Sequence, residues 1–257
     1  MIQRIKKIKR IVRKFIIKLY WQSTIRHYEA DYFSGKTIAI IGGGDTALQE
    51  KNGYYIDSFD IVIRINRGID NYLDKSEYLG SRTDILFHGL HEDPFNGCGP
   101  VKPKEWLKKG VKKVIFPLVG IGERALIDTY ILRSKGRLPL LRLNAEEYNE
   151  ITKVLKGFRT TTGFAAIYLM TKVKFKRLYI TGFTFFKTPH QAGYNDNVSI
   201  DLVRENIKKF KHHNPDLEYE YFKKAILKVQ NIEIDKGMES IFQRGDVNPS
   251  ITDEKKG

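Results

Sequence analysis

Three glycines follow a short apolar run in IIGGGDTALQ, residues 40–49. Lacking a Cβ, such residues let the main chain come close to a phosphate, and amides opening the next helix add donors and a partial positive charge. A dinucleotide site would also place an acid about twenty residues on, at the end of the second strand, to hold a ribose hydroxyl. This chain offers Arg64, Asn66 and Arg67 there. A carboxamide donates to phosphate without needing a metal. Further on, Thr161-Thr162-Gly163 has the residue types of a helix N-terminus. Thr162 can cap that helix or set its hydroxyl on an anion, and the free amides beyond it can hold a carboxylate or phosphate. An ordinary cap explains the threonines equally well.

These groups need rigid elements to aim them, and the pattern alternates strand and helix. Ile38 to Ile41, Ile61 to Ile65, Asp84 to Phe87, Val114 to Pro117, Arg177 to Thr181 and Ile232 to Ile234 read as buried strands. Helical segments fall near Lys104 to Lys108, Gly122 to Ser134, Ala145 to Leu155, Gly163 to Thr171, Ile200 to Lys211 and Asp216 to Lys228, with a helix or helical turn from Asp45 to Glu50. The expectation is an α/β fold: a single Rossmann-like domain with a mostly parallel sheet and helices on both faces. Ligands of such sheets bind at the carboxyl ends of strands, near the point where strand order reverses. Gly42 to Asp45, Asn66 and Gly182 all fall on that edge.

With 257 residues, 41% of them hydrophobic, the chain can bury one good core. Cys98 is the single cysteine, so no internal disulfide forms and a reducing compartment suits the chain. The formal charge of +15 is uneven, because eight Lys or Arg residues and no acid occupy the first eighteen positions. As a helix, this segment puts Ile2, Ile5, Ile8, Ile11, Val12, Phe15, Ile16 and Leu19 on one face and Lys6, Lys7, Arg10, Arg13, Lys14 and Lys18 on the other. That pattern fits a helix lying in an anionic membrane interface through residues 1–21, with Tyr20 and Trp21 at head-group depth. A solvated charge run and a nucleic-acid arm are the alternatives; no interleaved basic and aromatic surface elsewhere supports nucleic acid. Residues 1–35 are read as this helix and a connector, 36–245 as the catalytic domain and 246–257 as a flexible tail.

Two family resemblances arise from the motifs. GGGDTA fits G-x-G-x-x-A and resembles the nicotinamide-binding turn of flavin-linked disulfide reductases, over about ten residues. The cysteine pair and second glycine fingerprint of those enzymes are absent. IDSFDIVIRIN (residues 56–66) and LGSRTDILFHG (79–89) instead resemble the long sialylmotif of the animal-type sialyltransferases, with Asp57, Phe59, Asp60, Val62, Arg64, Asn66, Gly80, Ser81 and Thr83 at matching places. RTTTGFAAIYLMTKVKFKRLYITGFTFF (159–186) resembles the short motif through Thr161-Thr162-Gly163 and Thr181-Gly182-Phe183. His213 and Glu218, four residues between them, match the very short motif.

The resemblance covers roughly Lys36 to Gly237 and implies the sialyltransferase variant of the A-type glycosyltransferase fold. It implies an inverting, metal-independent transferase that moves a 2-keto acid sugar, sialic acid or Kdo, from CMP to a glycan hydroxyl, without a cofactor. Gly42, Gly43, Gly44, Asp45, Asn66, Thr161, Thr162, Gly163, Gly182 and Phe183 would hold the donor. His213 would be the general base, apt because its ordinary pKa of about 6.5 leaves it mostly neutral yet basic; His212 competes if the spacing slips. Glu218 either shares in catalysis or caps and orients its neighbours. His190 and Tyr194 are the nearest counterparts of the family's third motif, assisting phosphate departure. Asp57, Asp60 and Arg64 are expected to pair or to bind main chain rather than ligand. Ile38 stands where the family has a cysteine, and Gly43 where its turn has Asn. Beside the basic helix, this implies a cytoplasmic enzyme peripheral on the inner face of the membrane, extending a lipid-linked bacterial glycan such as lipooligosaccharide. An NADPH-dependent oxidoreductase and a non-catalytic nucleotide-sugar binding module remain as alternatives.

Overall fold

The computed structural model describes residues 2–93, 98–120 and 122–245; the tail expected over 246–257 lies outside them. Helix α1 (Ile2–Thr24) leads into strand β1 (Ile25–His27) and then β2 (Thr37–Ile41). Next come α2 (Gly53–Asp57), β3 (Ile61–Ile65), α3 (Ser76–Leu79), β4 (Ile85–Phe87), α4 (Pro103–Lys108), β5 (Lys113–Phe116), α5 (Glu123–Ser134) and β6 (Leu140–Arg142). The chain closes with α6 (Ala145–Val154), α7 (Thr162–Thr171), β7 (Arg177–Thr181), α8 (Ile200–Phe210), α9 (Pro215–Lys228), β8 (Ile232–Ile234) and α10 (Lys236–Gly245).

The eight strands form one sheet in the order β1-β6-β5-β4-β3-β2-β7-β8, and every pairing is parallel. Strand order reverses at β2, where β7 joins on the side opposite β3. Alternate side chains divide the core between two faces. Ile38, Ile40, Ile63 and Ile180 pack with Phe164 of α7 and Phe222 of α9; Ala39, Ile41, Val62 and Tyr179 share the other layer with Trp106 of α4 and Tyr130 of α5. Both faces are thus covered, as the wholly apolar strands require. The sheet begins earlier than expected. β1, with the buried Tyr28 and Phe33, lies inside the segment read as connector, so the folded unit includes residues from Ile25 onward.

α1 has two unlike faces. Ile17 and Thr24 are buried, and Tyr20 and Trp21 partly so, with the Arg124 guanidinium 4.1 Å over the Trp21 ring. Tyr20 and Trp21 therefore face α5, which corrects their expected place at head-group depth. At 100° per residue the opposite face carries Ile8, Ile11, Phe15 and Leu19, which are 57–65% exposed. No helix among the described residues is long and apolar enough to cross a membrane.

The strings that carry the family resemblance build a clasp between β3 and the segment entering β4. Arg64 is fully buried, 3.9 Å over the Tyr72 ring, and donates to Thr83 Oγ1 (2.8 Å) and to the carbonyls of Leu79 (2.7 Å), Gly80 (3.1 Å) and Arg82 (3.0 Å). The Asp57 carboxylate accepts from the Ser81 N–H and hydroxyl and from the Arg82 N–H. Asp60 accepts from the N–H and hydroxyl of Thr37, and these bonds hold its carboxyl below the usual range. Gly80 has φ +74°, and a Cβ there would press on Asp57 and Ile56. As expected, Asp57, Asp60 and Arg64 bind protein. Asp57 and Asp60 act ahead of the amino end of β3, and Arg64 holds the part of the strand that leads to Asn66.

Candidate active site

A cavity of about 410 Å³ opens at the carboxyl ends of β2, β3 and β7, at the reversal of strand order. The Gly42–Gly44 turn forms one wall, and its glycines are required by close packing. A Cβ on Gly42 would overlap the Gly182 carbonyl, one on Gly44 would meet Thr184 and Gly182, and one on Gly43 would enter the Tyr194 ring. Of the amides here, Gly42 N–H donates to Thr181 (2.8 Å), Gly44 to Gly182 (2.8 Å) and Asp45 to Pro189 (3.2 Å), while the Gly43 N–H has no partner among the described residues. The turn leads into a single 3-10 turn, Asp45–Leu48. The expected helix N-terminus is corrected, because a 3-10 turn and no α-helix begins there; of the glycine amides, the Gly43 N–H is the one left as a donor to spare among the described residues. Asp45 accepts from the Thr188 hydroxyl and does not line the cavity, which corrects its placement among the donor-binding residues.

Asn66 ends β3 with φ +47°, a left-handed conformation that asparagine tolerates better than most residues. It is 8% exposed, lines the cavity and accepts the Gly89 N–H on Oδ1 at 3.0 Å. An N–H can only donate, so the facing amide atom is the oxygen, and Nδ2 is left as a donor without a partner among the described residues.

The N-terminus of α7 forms the facing wall. Thr161, not Thr162, is the cap: its hydroxyl accepts from Phe164 N–H at 3.1 Å. Thr162 and Gly163 are the first two helical residues, whose amides have no acceptor within the helix. Phe183 packs between the walls, so that a Cβ on Gly42 or Gly163 would crowd its ring. Glu218 of α9, 2% exposed, grips Thr161 by accepting its N–H (2.8 Å) and its hydroxyl (2.9 Å). Burial pushes its carboxyl up to about 8, with the Thr161 bonds opposing. Both oxygens accept from Thr161, so Glu218 binds the α7 cap, which fits the orienting role among those expected for it.

His213 lines the same cavity, and its Nδ1 lies 2.9 Å from the Arg159 carbonyl. A carbonyl only accepts, so Nδ1 carries the proton and Nε2 keeps its lone pair, the form a base needs. Burial lowers the His213 pKa most; the Arg159 carbonyl opposes, and His212 and the Arg159 cation lower it further. His212 also lines the cavity but stacks on Phe210, ring centroids 6.0 Å apart. His190 sits over Tyr194 at 4.8 Å, its pKa lowered by burial, and its main chain bridges to Gly44. The Tyr194 hydroxyl points to the Ile65 carbonyl at 3.4 Å. Among the described residues no three His, Cys, Asp or Glu side chains cluster as a metal site would need.

Of the residues singled out by sequence, Gly42, Gly43, Gly44, Asn66, Thr161, Thr162, Gly163, Gly182, Phe183, His190, Tyr194, His213 and Glu218 all border this cavity, and Asp45 does not. Sequence reasoning missed Arg159, His91 and the face of α8 formed by Val203, Asn206, Ile207 and Phe210. Arg159 stood beside a recognised motif, which was signal enough. The α8 stripe reads like any core-facing helix, yet α8 buries no residue.

No family model matches the chain. It is 27% identical over 228 positions to the type 2 lactosamine alpha-2,3-sialyltransferase of Rattus norvegicus, spanning 77% of this chain and 64% of that relative's length. Among solved structures it is similar to a mammalian sialyltransferase (TM-score 0.57, 15% identity, 88% of this chain and 79% of that one). It is likewise similar to a mammalian sialyltransferase in complex with Gal-beta-1-3GalNAc-ortho-nitrophenol (TM-score 0.52, 14% identity, the same coverage). The resemblance read from the motifs thus extends over most of the chain, and the α/β architecture is that of these sialyltransferase structures.

Proposed function

We propose that this protein is an inverting glycosyltransferase that moves a 2-keto acid sugar, sialic acid or Kdo, from CMP to a glycan hydroxyl. The observation that carries the reading is the convergence of three separate motif blocks on one cavity: Asn66 with a donor to spare, the capped N-terminus of α7, and His213 in its base-competent tautomer. Asn66 Nδ2 and the amides of Thr162 and Gly163 supply fixed donors to the nucleotide and its phosphate. His213 Nε2 takes the proton of the acceptor hydroxyl as that oxygen attacks the anomeric carbon and CMP departs from the opposite side. In this reading His190, which lines the cavity beside Tyr194, assists the leaving phosphate. The reaction so written needs no cofactor and no metal.

Two features disfavour an NADPH oxidoreductase. The Gly42 and Gly44 amides are engaged by the end of β7 and the residue after it, and β3 is followed by Asn66 rather than an acid. The exposed aliphatic face of α1, edged by cations and turned away from the domain, supports docking on an anionic membrane surface, where each cation near the surface is worth about 1 kcal/mol. A cytoplasmic enzyme there would meet a lipid-linked acceptor, such as bacterial lipooligosaccharide, in two dimensions. Replacing His213 with Ala tests the chemistry: transfer should fall by about 10²–10⁴-fold, the usual contribution of a general base, with CMP affinity near wild type. Transfer at the wild-type rate would rule out His213 as the base, and a non-catalytic binding module would show no transfer to lose.

A further inference from the structure

Among the described residues that line the cavity, Arg159 is the sole lysine or arginine and Glu218 the sole acid. Glu218 directs both its oxygens to Thr161 rather than to Arg159, and burial favours its neutral form. Arg159 itself has no ion pair among the described residues. Its main chain is fixed from two directions: its N–H donates to the His212 carbonyl and its own carbonyl accepts from His213 Nδ1, both at 2.9 Å. The guanidinium is near enough to act electrostatically on His91, Tyr148 and His213. An exposed cation without an ion pair among the described residues, carried on a main chain held from both sides, therefore stands beside the imidazole that would act as base, and a cation in such a setting draws an anion.

The proposed reaction, on which this inference rests, brings two anionic groups. In an inverting displacement the attacking hydroxyl and the departing phosphate lie on opposite sides of the anomeric carbon, so the base and the phosphate are kept apart. The sugar carboxylate is bonded to that same carbon and lies between them, within reach of a group next to the base. We propose that Arg159 binds the carboxylate of the donor sugar through its guanidinium fork and thereby selects acid sugars over neutral sugars carried on the same nucleotide. The step is binding alone; no bond to Arg159 forms or breaks.

Calorimetric titration of wild type, Arg159→Gln and Arg159→Lys with CMP, and in the absence of acceptor with CMP-Neu5Ac and CMP-Kdo, tests the contact. The glutamine variant should bind the preferred CMP-sugar about tenfold more weakly, the scale of a charge-assisted contact, while CMP affinity stays within about twofold. The lysine variant, which keeps charge but not the fork, should fall between. Retained CMP affinity also reports that the variants are folded. Equal loss for CMP and CMP-sugar would overturn the proposal by assigning Arg159 to the phosphate. Unchanged affinity for both would overturn it by making Arg159 a solvent-facing residue. Either result leaves the CMP-sugar reading standing, whereas a wild type that binds none of the three sinks that reading and this inference together.

Discussion

At the scale of single residues, the site depends on which polar atoms are already engaged. His213 has one nitrogen tied to a carbonyl and one free, and burial keeps the ring neutral to below its ordinary range. The acid limb of kcat/KM should therefore lie below about pH 6.5, the unperturbed value; a limb well above it, measured with saturating donor, would contradict His213 as base. Glu218 is the opposite case, a carboxyl held neutral by burial, with a folded pKa of about 8. The folded state keeps this proton where the unfolded chain has lost it, so Glu218 makes stability fall as pH rises between the unfolded carboxyl range and about 8. Glu218→Gln, which can still accept the Thr161 N–H, should flatten that part of the slope of Tm against pH while preserving the fold. An unchanged slope would mean that the Glu218 carboxylate is ionised in the folded protein.

At the scale of elements, much was legible and some was not, for physical reasons. β2, β3 and β7 show as largely apolar runs because parallel strands are buried on both faces. β1 and β6 have three residues each, β1 with two of them polar and exposed, and both pair by contacts far apart in sequence. The motif strings were visible, but their labour was not. Arg64 and Asp57 hold the clasp and only Asn66 reaches the cavity, a division that depends on side-chain partners 15 to 25 residues away. Arg64→Leu should strand the Leu79, Gly80 and Arg82 carbonyls at about 1–3 kcal/mol for each left unpaired. Thermal unfolding should show a large drop in Tm, and an unchanged Tm would mean that the clasp adds nothing. The glycine turn carries a demand that its string does not show: Gly42 and Gly44 permit the close approach of Gly182 after β7, and Gly43 makes room for the Tyr194 ring. Gly43→Asn, which restores the residue expected from the family resemblance, should destabilise by about 1–3 kcal/mol through overpacking on Tyr194. A gain in both stability and CMP affinity would contradict that packing argument.

For the whole molecule, one end of α1 belongs to the domain while its outer aliphatic face is left without a partner among the described residues. Removing residues 1–21 entirely would also remove the buried Ile17 and the Trp21 contact with Arg124, confusing anchoring with folding. Replacing Ile8, Ile11 and Phe15 with Asn alters only exposed positions. The triple variant should stop co-floating with anionic phospholipid vesicles while binding CMP as wild type does, and undiminished flotation would contradict the interfacial reading. The central claim concerns the cavity at the reversal of the sheet, and a calorimetric titration with CMP and NADPH tests it most directly. The account predicts saturable 1:1 binding of CMP, weakened about tenfold or more in Asn66→Ala by loss of a buried donor to phosphate or ribose, and no binding of NADPH. Saturable NADPH binding with none for CMP would contradict it.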